Sequence, residues 1–361
     1  MSNKSILHIA PQNFAGMPID FVYMHRKFGF KSNLVTIYKE STDFQSDINI
    51  DLNLPKGKLA TLYRQRKFLS KSLKTSNEQN TSLKYYKYTF TDKIYFRIKD
   101  LINSPKIEDI IKRYSLQEFD IYHFDGGIDL FRDFRFAKNM KNNGKKIIAC
   151  YFGSDLRTRG IFKEMEELSD LNLTVEFDHT KIHPNINYIF FPFNCENATA
   201  KLKLNKTIKI IHSPTNRLFK GTEKILKIIN QLKRNFNFEF LLVENLPRNK
   251  LLEIKKDCDL AIDQVGGILG GSGYGKNSIE NFLLGLPTIT EFTEDYKKFL
   301  KENPFINATE ETLYDTIANI LKNPEVLIEY SIKSVEWLKK YHSYESVNKQ
   351  LLELYNKYNI L

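Results

Sequence analysis

Two stretches decide how this chain folds: IKIIHSPTNRLFKGT at residues 208–222 and GGSGYGKNSIE at residues 270–280. In the first, the apolar run Ile208, Ile210 and Ile211 reads as a strand, a turn carries Arg217 and Lys220, and a helix opens at about Gly221. That arrangement sets two permanent cations beside a helix N-terminus, whose free amides and positive dipole favour an anion. The second is a glycine-rich loop running into another helix, with Glu280 a turn or more inside it. Residues 266–275 hold six glycines in ten positions, and glycine lets backbone amides approach an anion closely. A diphosphate held at both ends is the simplest ligand for such a pair.

Strand and helix patterns alternate outward from these motifs. Strands are expected at 207–212, 238–243, 259–263 and 287–291, with helices at 222–234, 247–256 and 274–284 between them. The first half repeats the rhythm: strands at 6–10, 33–38, 120–124 and 146–152, helices at 18–28 and 130–142, and irregular chain at 39–60. Helix-like stretches at 309–322, 325–340 and 343–358 close the chain. Such alternation implies parallel sheets covered on both faces, and ligands bind such sheets at the carboxyl ends of their strands. The expected fold class is α/β, with two doubly wound Rossmann-like domains facing a central cleft. The expected division is 1–195, 196–340 and a final helix at 341–361.

The block Asn216-Arg217-x-x-Lys220-Gly221-Thr222 resembles the diphosphate-binding Arg/Lys pair of GT-B glycosyltransferases of family four, the group 1 transferases. Gly273-Tyr274-Gly275, Ile279-Glu280-Asn281 and Gly285-Leu286-Pro287 are similar to that family's glycine loop, helix glutamate and Gly-x-Pro turn. The resemblance implies that Arg217 and Lys220 neutralise a nucleotide diphosphate and that Glu280 binds ribose hydroxyls. It also implies donor contacts from Asn216, Gly273, Tyr274 and Gly275, and a small-residue loop at Gly16. Ser272 stands where the family carries the first of two glutamates, leaving the amides of Gly271 to Gly275 as substitutes at the donor sugar. On the acceptor side the closest matches are Asp125, with His123 two residues earlier, and the Gly-Ser-Asp segment with Asp155 and Arg157. The implied activity is retaining sugar transfer from a nucleotide-diphosphate sugar to a glycan, a lipid-linked acceptor or a cell-surface precursor. The final helix is implied to pack back on the first domain.

Composition narrows the alternatives. The 361 residues suggest two domains, and 42% hydrophobic with 27% charged residues describe a globular chain. No apolar run approaches the roughly 18–20 residues of a membrane span, and Ile6–Ala10 follows Met1 with no signal-peptide core. Cys150, Cys195 and Cys258 are odd in number and set in apolar contexts, as expected of reduced cytoplasmic thiols. Of the net charge of +11, residues 56–113 carry most, with fifteen Lys/Arg against five Asp/Glu and interleaved aromatics. That surface fits a solvated basic face, an anionic membrane at the inner leaflet, or, as the weakest reading, nucleic acid.

No metal or cofactor is expected. Arg217, Lys220 and a helix dipole suffice for a leaving diphosphate, and the His179-x-x-x-His183 spacing, followed by Pro184, lacks the H-E-x-x-H pattern. The turn at 11–16 lacks G-x-G-x-x-G, which speaks against a nicotinamide enzyme. The runners-up are a sugar-nucleotide epimerase of similar fold, using Asp125 and Asp155 as acid and base, and a non-catalytic binding protein working through 56–113.

Overall fold

The computed structural model describes residues 4–39, 44–53, 83–153, 155–267, 273–300 and 302–361. The chain divides into two compact units, one of residues 1–193 with 344–361 and one of residues 194–343. Ser272 and residues 56–82 of the basic stretch lie outside the described residues.

The first unit is built on a parallel sheet of seven strands: β1 Ser5–Ala10, β2 Lys31–Tyr38, β3 Ile48–Leu52, β4 Ile121–Asp125, β5 Lys146–Tyr151, β6 Leu171–Thr174 and β7 Ile186–Tyr188. Their order is β3-β2-β1-β4-β5-β6-β7. Strands in such a sheet are buried on both faces and read as unbroken apolar runs, as Lys-Ile-Ile-Ala-Cys-Tyr of β5 does. The expectation of irregular chain across 39–60 is corrected by β3. Its Ile-Asn-Ile-Asp-Leu alternation buries the apolar side chains and exposes the polar ones, the mark of an edge strand too short to stand out in the sequence.

Helix α1, Met17–Lys27, follows β1 through a turn in which Ala15 and Gly16 both take positive φ. Asn13, fully buried, donates to the Gln45 carbonyl and accepts from the Ile19 amide, and so fixes that turn. Helix α2, Phe90–Arg113, is opened by a capping box between Thr89 and Asp92. Helices α3 Arg135–Asn142, α4 Lys163–Leu168 and α5 His179–Ile182 complete the run to residue 193.

In the second unit the parallel sheet has five strands: β8 Lys209–His212, β9 Glu239–Leu242, β10 Leu260–Gln264, β11 Thr288–Thr290 and β12 Ile306–Asn307, in the order β12-β11-β10-β8-β9. Around it lie α6 Arg217–Lys220, α7 Thr222–Leu232, α8 Arg248–Lys256, α9 Lys276–Leu283, α10 Glu294–Phe299, α11 Leu313–Lys322 and α12 Val326–His342. Ile225, Ile228, Ile229 and Leu232 of α7 pack with Ile210, Leu260, Ile262 and Ile289 of the sheet. The last helix, α13 Tyr344–Lys357, groups with the first unit, where Tyr355 is fully buried. No helix among the described residues is long and apolar enough to cross a membrane.

Candidate active site

The polar residues of the second unit converge where β8 and β10 end. Asp263, the penultimate residue of β10, is the hub. Its Oδ1 accepts from Lys220 Nζ at 2.7 Å and from Asn277 Nδ2 at 3.0 Å, and its Oδ2 accepts from Ser278 Oγ at 2.6 Å. Burial works to raise the Asp263 carboxyl, but Lys220 and these donors override it and hold it below the usual carboxylate range. Lys255 Nζ, buried at the end of α8, donates to Asn277 Oδ1 at 2.6 Å. Burial pushes that amine down to about 8, against the pull of Glu280 and Asp263. One turn into α9, the Glu280 carboxylate accepts from Arg248 Nε at 2.5 Å. His212, ending β8, bonds the Ile262 carbonyl through Nδ1 at 2.8 Å and Thr222 Oγ1 through Nε2 at 2.9 Å, and burial keeps its imidazole below its ordinary value.

The sequence sets Arg217 and Lys220 in a turn beside a helix that opens at about Gly221, and α7 starts there at Thr222. Both lie on α6, a separate single turn that precedes α7, and both have carboxylate partners. Arg217 bridges Glu223 at 2.6 Å and Glu244 at 2.7 Å while staying 40% exposed; Lys220 is held by Asp263. The Asn216 side chain accepts from the Leu218 and Phe219 amides, so its carbonyl caps α6.

Two of the glycines have steric duties. Gly221 has φ +68°, and a Cβ there would stand 1.9 Å from the Val265 carbonyl oxygen, so α6 can seat on the loop after β10 only through glycine. Gly273, at φ +105°, would drive a Cβ to 1.8 Å from the Tyr296 ring. Beside Gly275 a side chain would meet open space, next to the start of α9. The Tyr274 side chain is buried. Its ring stacks on Tyr296 and Phe305, and its hydroxyl meets His342 Nε2 at 2.9 Å, leaving only its backbone for a donor.

In the first unit the acceptor-side candidates occupy a different setting from the one expected. His123 and Asp125 both lie within β4, the strand expected at 120–124 reaching one residue further to include Asp125, and both are buried. Neither Asp125 oxygen has a hydrogen-bond partner, and burial, with Asp155 nearby, pushes its carboxyl well above the usual range. Asp155 opens a single π-turn, Asp155–Arg159, and its Oδ2 accepts from the Phe152 amide at 3.1 Å. Arg157 is committed to Asp178 and Glu176 at 2.5–2.6 Å, a loop-fixing role. His179 and His183 share no ligand geometry: His179 bonds Thr174 and Gly153, and His183 bonds Glu166.

Asp263, Lys255 and Arg248 escaped the sequence reading. The usable signal was Asp263 itself, a carboxylate ending the apolar run Leu260-Ala-Ile262 at the carboxyl end of a strand.

This pair of parallel α/β units is the GT-B fold. HepE of Anabaena, in complex with UDP and glucose, matches over 98% of this chain and all of its own, with TM-score 0.58 at 10% identity. Sucrose-phosphate synthase of Thermosynechococcus elongatus matches over 98% of this chain and 99% of its own, with TM-score 0.60 at 11% identity. A putative UDP-N-acetylglucosamine 2-epimerase of Listeria monocytogenes matches at TM-score 0.53 and 12% identity, over 99% of this chain and 97% of its own. No family model and no curated protein matches the sequence.

Proposed function

We propose that this protein is a glycosyltransferase that binds a nucleotide-diphosphate sugar in its second unit and passes the sugar to a glycan or lipid-linked acceptor. The observation that carries the reading is Lys220 fixed by Asp263 at the carboxyl end of β10, with Arg217 on the same turn, in a fold shared along its length with HepE. HepE holds UDP, which makes UDP the first nucleotide to try. On binding, the diphosphate takes Arg217 from the exposed Glu223 and adds a second anionic partner to Lys220. Charge-assisted contacts to phosphate are among the stronger hydrogen bonds. The first turn of α9, beside the open space at Gly275, adds the positive end of a helix dipole. Glu280 then exchanges Arg248 for a vicinal diol, which can donate two hydrogen bonds to one carboxylate.

As the bond to the anomeric carbon breaks, negative charge grows on the departing diphosphate. Preorganised cations at that point lower the barrier, and the residues proposed here supply them without a metal. Retention of configuration belongs to the same reading. The epimerase alternative needs an accessible acid and base, and Asp125 is buried. Release of nucleoside diphosphate from UDP-sugars in the presence of a membrane or glycan extract is the test. Release that requires both donor and extract supports the transferase; interconversion of the sugar nucleotide with no release overturns it.

A lipid-linked or membrane-bound acceptor is favoured by α2. Phe90, Ile94, Ile98, Leu101 and Ile102 are exposed on it, Leu101 at 69% and Ile102 at 67%, alongside Lys93, Arg97 and Lys106. Apolar side chains interleaved with cations suit the boundary of an anionic leaflet. Co-sedimentation with phosphatidylserine vesicles that weakens with salt and is lost in Leu101→Asp/Ile102→Asp is expected. Equal recovery with neutral and anionic vesicles would contradict it.

A further inference from the structure

The first unit contains a cluster that sugar transfer does not use. His8 on β1 and His123 on β4 are register partners across adjacent strands, and His25 reaches them from α1. Ring centroids lie 4.3 Å apart for His8 and His123, 5.3 Å for His8 and His25, and 5.7 Å for His25 and His123. One nitrogen from each ring can be chosen so that all three fall within 4.8 Å of one another. All three side chains are buried. His8 Nδ1, His25 Nε2, His123 Nδ1 and both Asp125 oxygens have no hydrogen-bond partner. Native interiors seldom bury so many polar atoms unpaired in one place.

The three rings cannot satisfy one another. A neutral imidazole carries one N–H, so the His8 Nε2 to His25 Nδ1 contact at 3.3 Å can hold only one proton between them. With that proton in place, one of the two rings is left without a free lone pair. A cation in place of the proton removes the conflict. Two nitrogens on one tetrahedral zinc ion, each at about 2.0–2.1 Å, stand about 3.3 Å apart, which is the spacing found. Two of the three outer nitrogens face a polar group. His8 Nδ1, then protonated, faces Asp125 Oδ2 at 3.8 Å, and His123 Nε2 lies 2.5 Å from the Tyr355 hydroxyl. Metal-bound histidines carry such second partners, a carboxylate above all, because they fix the tautomer and aim the ring.

We propose that His8, His25 and His123 bind one divalent transition-metal ion of the zinc class, with Asp125 and Tyr355 as positioning residues for His8 and His123. No fourth ligand joins the three among the described residues, so the remaining position is left to water. Bound there, the ion ties α1 to the two central strands of the sheet. The site lies wholly in the first unit and stands or falls apart from the donor site.

The test uses full-length protein without a polyhistidine tag, stripped by chelator and titrated with Co²⁺ and then Zn²⁺. One equivalent of Co²⁺ is expected to give visible d–d absorption that Zn²⁺ abolishes, and Zn²⁺ is expected to raise the melting temperature. His25→Gln should lose the absorption, and Asp125→Asn should weaken binding about 10–100-fold. A wild-type protein with no stoichiometric site overturns the proposal, whether or not the variants fold. So does binding that survives His25→Gln in folded protein.

Discussion

Replacing Arg217 with alanine is expected to lower kcat for release of nucleoside diphosphate by about 10²–10³-fold, the usual cost of deleting one preorganised group at a developing charge. The protein should fold nearly as before. Arg217 is exposed, and its partners Glu223 and Glu244 reach solvent once released. A steady-state assay beside a melting curve separates the two effects. Lysine in its place should recover only part of the rate, because an ammonium cannot span two phosphate oxygens as the planar guanidinium does. An unchanged kcat in a folded Arg217→Ala protein would remove Arg217 from the reaction.

Lys220 should behave differently, because its partner is buried. Lys220→Met leaves the Asp263 carboxylate in the interior with only Asn277 and Ser278 to answer it. Breaking a buried pair from one side typically costs about 3–5 kcal/mol, and a figure near the lower end suits a lysine that keeps some solvent contact. Urea unfolding reads the loss, and Asp263→Asn in the same chain should restore most of it, since contacting residues do not contribute additively. The sign of the pH dependence follows from the lowered Asp263 carboxyl. The stabilisation from the pair is present above the ordinary carboxylate value near 4. It is lost as pH falls through the lower folded-state value, so wild type and Lys220→Met should converge in acid. A deficit that neither the second substitution nor acid relieves would mean that Lys220 acts on something other than Asp263.

The parts of the fold that could be read from the sequence are those where one local rule was enough. Parallel strands such as β5 and β8 are short apolar runs between turns, and glycines such as Gly29 end the helices beside them, so the alternation was visible. Strand β3 was not, because an edge strand of five residues offers too little pattern. The single turn α6 was missed because its geometry depends on a non-local contact, Gly221 resting against Val265. For the same reason the partners of the donor-region cations were not legible. Arg217 and Lys220 are evident as cations in the chain, but their partners Glu244 and Asp263 arrive from 27 and 43 residues away. The histidine cluster was hidden altogether. His8, His25 and His123 share no motif, and only the pairing of β1 with β4 under α1 brings them together.

The central claim is that the carboxyl end of the second sheet holds a nucleoside diphosphate. Melting curves of the wild-type protein against UDP, GDP, ADP and CMP, each with its sugar conjugates and with and without Mg²⁺, address it directly. A nucleotide present at 100 times its Kd should add about 2.7 kcal/mol of stability. The account predicts such a rise with one nucleoside diphosphate and its sugar, and its loss in both Arg217→Ala and Glu280→Ala. A flat response to every nucleotide, or a rise that both substitutions leave intact, would contradict it.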